Sequence, residues 1–226
     1  MIDPHHPSPA PSPASSPDPV LVDERAPRPV ITSEQVHEGA IWSVRRETVD
    51  LGEAGIVRRD VLHHPGAVGV LALDDDGRLL MIRQYRHPVG MDLWEVPAGL
   101  LDVVGENPLA AAQRELAEEA DLTAGRWDLL IDWFTSPGGS DETIRLFLAR
   151  DVQVVPDHEL HERTDEELGM LTRWVSLEDA RDAVLGGRIH NPAAVVGVLA
   201  ACAARDRGWS TLRPVDAPWP EHHAFR

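Results

Sequence analysis

Residues 97–122 read PAGLLDVVGENPLAAAQRELAEEADL, and they gather Glu115, Glu118 and Glu119 within five positions after a glycine-bearing turn. Asn107 is a good helix N-cap, because its side-chain oxygen can take an orphan N–H of the first turn. Pro108 suits the first helical position, where its missing N–H costs nothing. The run that follows has high helix propensity, so a helix is expected over about 108–120. At ~100° per residue, Leu109, Ala112, Leu116 and Ala120 fall in one narrow arc, the buried stripe. Arg114 and Glu118 point nearly opposite as an i,i+4 pair. Glu115 and Glu119 stand one turn apart on the border of the stripe and face the same way.

An acidic helix face is most often only solvated. Three features point instead to a cation. Like charges crowd the C-terminal end, where the helix dipole disfavours anions. The two best-aligned glutamates sit at the edge of the core. The Pro-Ala-Gly turn before the helix offers a backbone carbonyl. Carboxylate and carbonyl oxygens, completed by water and phosphate oxygens, are what Mg2+ or Mn2+ takes.

Outward from this helix the chain reads as strands first, with helices among and after them. WSVRRETVDL (42–51) and IVRRDVLHH (56–64) alternate around the turn GEAG, a hairpin signal. AVGVLALD (67–74) is a continuous apolar run and so a buried strand; DDDG turns the chain and RLLMIRQYR (78–86) returns it. A short strand is expected at 92–99, ending at Pro97, with further strands at 126–134, 143–150 and 171–176 and helices at 177–186 and 192–206. There is no internal repeat. This order gives an α/β or α+β sandwich rather than a regular βαβ array. Residues 1–29, rich in Pro, Ser, Ala and His, are expected to form a disordered or polyproline-like tail. Its isolated His5-His6 pair is of a kind that is usually inert towards metal. Residues 30–65 form N-terminal strands, 66–208 the main domain, and 209–226 a C-terminal tail.

The net charge of −17 makes the chain a poor partner for nucleic acid or an anionic membrane. If the substrate is also an anion, a divalent metal is the obvious local counter-charge. The single cysteine, Cys202, allows no disulfide within the chain and fits a reducing cytosol. Its small apolar setting favours a packed thiol over a nucleophile. No stretch approaches the ~20 apolar residues of a membrane helix, and the N-terminus is not expected to be a secretory signal.

The stretch 99–122 resembles the Nudix box, G-x5-E-x7-R-E-U-x-E-E-x-G-U with U aliphatic. Gly99, Glu106, Arg114, Glu115, Leu116, Glu118, Glu119 and Leu122 carry the resemblance. Six residues rather than five separate Gly99 from Glu106, in a loop where length is cheapest to change. Asp121 stands where the family usually has Gly, a position that wants left-handed backbone, which Asp visits more readily than most residues. The resemblance implies an α/β protein, an α/β/α sandwich with a mixed sheet, here with N-terminal antiparallel strands added. It implies metal ligands at Glu115 and Glu119, with Glu118 assisting, the carbonyl of Ala98 completing a Mg2+ (or Mn2+) site, and Arg114 and Glu106 orienting helix and loop.

Substrate choice lies outside the box. Pro137 sits 15 residues after Leu122, within FTSPGGSDE, and resembles the proline of the ADP-ribose pyrophosphatase subfamily; a plain Ser-Pro-Gly turn would look the same. HHPGAV (63–68), IRQYRHPVG (82–90) and LWEVPAG (93–99) extend that resemblance. It implies substrate contacts from Arg86, Arg59, Pro137 and Gly138, although surface arginines are usually just solvated. Trp94 fits either a place near adenine or the core. In the acidic loop before TRWV the resemblance implies a general base; Glu166 fits best, with Glu167, Glu162 and Asp165 as competitors. The expected reaction is hydrolysis of ADP-ribose to AMP and ribose 5-phosphate by a cytoplasmic homodimer whose partners share substrate contacts. ADP- or GDP-sugar hydrolysis, triphosphate hydrolysis, and a sensor that binds without cleaving are the alternatives. The intact REL-x-EE speaks against the sensor.

Overall fold

The alternating residues of the N-terminal region form an antiparallel sheet of β1 (Val30–Glu38), β2 (Ser43–Asp50) and β3 (Ile56–His63), in that order. The computed structural model describes residues 21–156, 158, 160–161 and 170–225. The tail with His5 and His6, and the acidic residues Glu162, Asp165, Glu166 and Glu167, lie outside the described residues, while residues 21–29 run exposed without helix or strand.

The apolar run after β3 becomes β4 (Ala67–Ala72), buried at every position. The chain turns at Asp74–Gly77, where the Gly77 N–H donates to the Asp74 carbonyl at 2.9 Å, and returns as β5 (Arg78–Arg86). The single strand expected over 92–99 is two: β6 (Met91–Glu95) pairs with β5, and β7 (Ala98–Leu100) pairs with β4. Pro97 is the cause. It has no N–H to give either ladder, and its carbonyl accepts from the Val70 N–H at 2.8 Å as the chain passes between sheets. The helix α1 (Pro108–Ala120) follows, then β8 (Leu122–Phe134), β9 (Thr143–Val154), β10 (Leu171–Ser176), α2 (Leu177–Leu185) and α3 (Pro192–Asp206).

A strand buried on both faces belongs mid-sheet. β4 lies between β7 and β9 in the order β7-β4-β9-β8, parallel to β9 and antiparallel to β7, so the sheet is mixed. Alternation sends Val68, Val70, Ala72, Phe147 and Ala149 to the side of α1, where Ala112 and Leu116 meet them. Leu71, Leu146 and Leu148 go to the side of α2 and α3, against Leu177, Ala194 and Val198. Each fully buried Leu or Phe contributes about 1.5–3 kcal/mol, and the two faces fix strand register. The result is an α/β/α sandwich. A second sheet, β10-β5-β6, extends it, and β1–β3 form a third sheet of their own. Among the described residues no helix is long and apolar enough to cross a membrane.

Helix α1 has the ends its sequence dictates. The Asn107 side chain accepts from the Leu109 N–H at 2.8 Å, and Asp121 closes the helix in the left-handed region at φ 55°, ψ 36°. Replacing Asn107 by Ala is expected to cost about 1 kcal/mol and to lower the melting temperature by about 2–4 °C, as read by calorimetry.

Residues 209–225, set apart by sequence as a tail, are packed on the sandwich. Trp219 is 2 % exposed and His222 1 %. Leu129 and Arg213 exchange backbone hydrogen bonds of 2.9 and 3.0 Å. Pro214, Pro218 and Pro220 interrupt any regular period in this segment, so its anchorage is made by single side chains rather than by a repeating face.

Candidate active site

Ala98 and Gly99, read from sequence as part of a turn, are extended residues of β7 that lie against the C-terminal half of α1. The Ala98 N–H donates to Glu119 Oε2 at 2.9 Å. Gly99 lies flat against Glu115: a Cβ there would collide with the Glu115 carboxylate and come within 2.7 Å of its Cγ. Both carboxylates are taken from water, Glu115 at 9 % and Glu119 at 7 % exposure.

Arg114 gathers the other acids of the helix. Its guanidinium donates to both carboxylate oxygens of Glu106 at 3.2 Å, to Glu115 Oε1 at 2.6 Å and to Glu118 Oε2 at 3.0 Å. The helix and the loop before it are thus tied through one cation, which its acidic partners, Glu106 first, hold more firmly protonated than a free guanidinium. On the other side, Arg86 from β5 grips Glu95 from β6 through two bonds of 2.9 and 2.7 Å, and Glu95 is 2 % exposed. Glu95 was not singled out by sequence. The one available signal is parity: the pairing Ile82↔Glu95 puts Glu95 on the same face as residues 84 and 86.

Burial dominates the electrostatics of this cluster. Burial pushes the Glu119 carboxyl up to about 8; the Ala98 N–H and Arg86 oppose the rise, while Glu115 and Glu95 add to it. Glu115 is also raised, since burial outweighs the pull of Arg114. Both shifts are first the cost of taking a carboxylate out of water, with neighbouring acids adding to it. Among the described residues no three His, Cys, Asp or Glu side chains converge as a ready metal cage. The two buried carboxylates of Glu115 and Glu119 are oxygen donors that would suit a Mg2+-type ion, which keeps several waters and takes one or two carboxylates plus substrate phosphates.

The remaining candidates fall elsewhere in the chain. Arg59 is exposed on β3, its guanidinium on the Arg58 carbonyl at 3.1 Å. Pro137 and Gly138 are exposed in the turn between β8 and β9. This turn is joined to β3: Leu62 N–H donates to Gly139 O at 2.9 Å, Asp141 N–H to Leu62 O at 3.1 Å, and His63 Nδ1 lies 2.7 Å from Asp141 Oδ2. Among the described residues no hydrogen bond or ion pair joins Arg59 or this turn to the carboxylate cluster. Trp94 is half-buried and packs with the core on the α3 side. Cys202 is buried, which pushes its thiol up and makes it a packing residue.

The NUDIX domain model matches residues 63–193, more than half of the chain. This chain belongs to the NUDIX family. Its NUDIX box is the stretch that carries Gly99, Glu106, Arg114, Glu115, Glu118 and Glu119. The NUDIX chain is 46 % identical to the ADP-ribose pyrophosphatase of Mycobacterium tuberculosis (strain H37Rv), over 84 % of this chain and 89 % of that one. It is 35 % identical to the ADP-ribose pyrophosphatase of Bacillus subtilis, over 71 % and 85 %, and 32 % identical to a methanol dehydrogenase activator of Bacillus methanolicus, over 74 % and 89 %. A solved structure described as an ADP compounds hydrolase superposes with a TM-score of 0.66 at 19 % identity, over 83 % of this chain and 99 % of that one; it shows the shared NUDIX fold.

Proposed function

We propose that this chain hydrolyses the diphosphate of ADP-ribose to AMP and ribose 5-phosphate with the help of a divalent cation, Mg2+ or Mn2+. One observation carries the reading. Glu115 and Glu119, one helical turn apart, are buried against Ala98 and Gly99, and burial raises both carboxyls. A cation between protein and diphosphate relieves both. The M. tuberculosis and B. subtilis relatives, named ADP-ribose pyrophosphatase, support the choice of substrate.

In this reading Glu115 and Glu119 are the metal ligands, Glu118 assists, and the Ala98 carbonyl adds an oxygen. A cation bound there supplies positive charge to the diphosphate oxygens and makes water more acidic. Arg114 holds Glu106, Glu115 and Glu118 in one arrangement, so the ligands need not be ordered during reaction. Arg86, fixed by Glu95 yet 40 % exposed at its side chain, presents a guanidinium towards the diphosphate. Glu166, with Glu167 as its nearest competitor, takes the proton of the attacking water. Arg59, Pro137 and Gly138 complete the substrate site from the β3 side. A homodimer sharing its sites between partners fits the exposed Ile31, Ile41 and Ile56 of the N-terminal sheet region. Light scattering is expected to read twice the chain mass; a single mass would count against the dimer. The cytoplasm is the compartment in which the lone thiol Cys202 stays reduced.

Incubation of the pure protein with ADP-ribose, ADP- and GDP-sugars and nucleoside triphosphates, with and without Mg2+, tests the substrate. AMP and ribose 5-phosphate, released fastest from ADP-ribose and only with metal, are expected. Faster cleavage of a nucleotide sugar, or binding without product, would overturn the assignment.

A further inference from the structure

Residues 213–225 cross the sandwich as a strap with three anchors. The first is the backbone exchange between Arg213 and Leu129. The second is Arg145, 3 % exposed, whose guanidinium donates to Asp132 at 2.8 and 3.1 Å, to the Ala217 carbonyl at 2.9 Å and to the Pro218 carbonyl at 3.2 Å, and lies 4.5 Å over the Trp219 ring. The third is His222, whose ring makes tilted contacts with Trp219 and Phe225 at 4.7 and 4.8 Å between centroids. Its Nε2–H donates to the Pro65 carbonyl at 2.8 Å, and its Nδ1 accepts from the Ala224 N–H at 3.1 Å. A carbonyl can only accept, so the tautomer is fixed and both ring nitrogens are used.

His222 bears on the carboxylate site through a short relay. It lies so close over Gly66 that a Cβ there would collide with the ring. Gly66, at φ 85°, turns its carbonyl to the Leu101 N–H at 3.0 Å. Leu101 follows directly on β7, whose Ala98 N–H holds Glu119 and whose Gly99 receives Glu115. The strap also faces the loop before α1 across a cleft of about 520 Å³ lined by Leu101, Asn107, Pro108, His223 and Phe225. β7 has only three residues, all paired with β4, so a hold at its C-terminal end adds to a short ladder.

We infer that His222 is a positioning residue for the carboxylate site: through Pro65, Gly66 and Leu101 it sets the place of β7, and with it the pocket that Glu115 and Glu119 present to a divalent cation. The inference rests on the metal-dependent reading above. Outer partners of metal ligands commonly matter in this way, because they orient what touches the ion.

The test compares His222→Ala and His222→Gln in the full chain with Val198→Ala, a core truncation on the α3 side that lowers stability without touching the relay. The Gln amide reaches the Pro65 carbonyl much as Nε2 does. His222→Ala is expected to speed amide exchange at Leu101 and Ala98 by about tenfold over Val198→Ala and to raise the Mg2+ concentration for half-maximal AMP release by about tenfold. His222→Gln restores both. If His222→Ala does not fold, His222→Asn, too short to reach Pro65, takes its place in the same comparison. Exchange and Mg2+ dependence equal to those of Val198→Ala would overturn the inference. Wild type lacking Mg2+-dependent AMP release would refute the proposed function instead, and exchange at Leu101 and Ala98 would still decide whether His222 sets β7.

Discussion

Glu119→Gln is expected to lower Mg2+-dependent AMP release by on the order of a hundred- to a thousandfold, the range for losing one well-placed electrostatic group, and at the same time to stabilise the metal-free protein. The two effects have one cause. In the folded chain burial holds the Glu119 carboxyl protonated up to about pH 8, whereas in the unfolded chain it ionises in the ordinary carboxylate range. The unfolded state therefore gives up its proton first. Stability contributed at this position is greatest at low pH and is lost as pH rises from the ordinary carboxylate range towards 8. Gln has nothing to ionise and keeps an oxygen for the Ala98 N–H. In EDTA the variant should melt like wild type near pH 4 and above it at pH 8, by no more than about 2 kcal/mol. Mg2+ should reverse that order, because an ion that binds only the folded wild type stabilises it by mass action. The same linkage has metal binding release a proton near neutral pH, so apparent affinity should rise with pH up to about 8. Wild-type turnover in the variant, or equal melting at pH 8, would remove Glu119 from the site.

Gly99→Ala is expected to be nearly as damaging to activity while leaving the fold standing. A Cβ at Gly99 meets the Glu115 side chain from its carboxylate back to Cγ rather than backbone, so the side chain swings away and the sheet stays in place. Melting should change by less than about 1 kcal/mol, and AMP release should fall by about a hundredfold, since a ligand displaced by an ångström is lost from the reacting geometry. Gly197→Ala makes the contrast. There the new Cβ meets Leu146 in the packed core, and overpacking costs about 1–3 kcal/mol of stability with turnover per folded molecule unchanged. Unaltered activity in Gly99→Ala would show that Glu115 need not lie against β7.

The helix and its acids were legible because their signals are local. Asn107, Pro108 and Asp121 write the ends of α1 into four-residue neighbourhoods, and the 3.6-residue period puts Glu115 and Glu119 together without any knowledge of the rest. The two-sheet split at Pro97 was not legible, since a short apolar run with a proline reads as one strand ending. Glu95 was hidden because its burial depends on which face of β6 meets Arg86, a matter of register. The strap is the extreme case. His222 and Pro65 lie 157 residues apart and Arg145 and Ala217 lie 72 apart, and neither contact leaves a periodic trace.

Everything proposed for catalysis depends on cations held by Glu115 and Glu119. Crystals grown with Mn2+ and a non-cleavable methylene analogue of ADP-ribose test this most directly. Anomalous scattering should place at least one ion about 2.1 Å from oxygens of both carboxylates, with a phosphate oxygen of the analogue in the same shell. An analogue bound with no anomalous peak beside these two side chains would contradict the account.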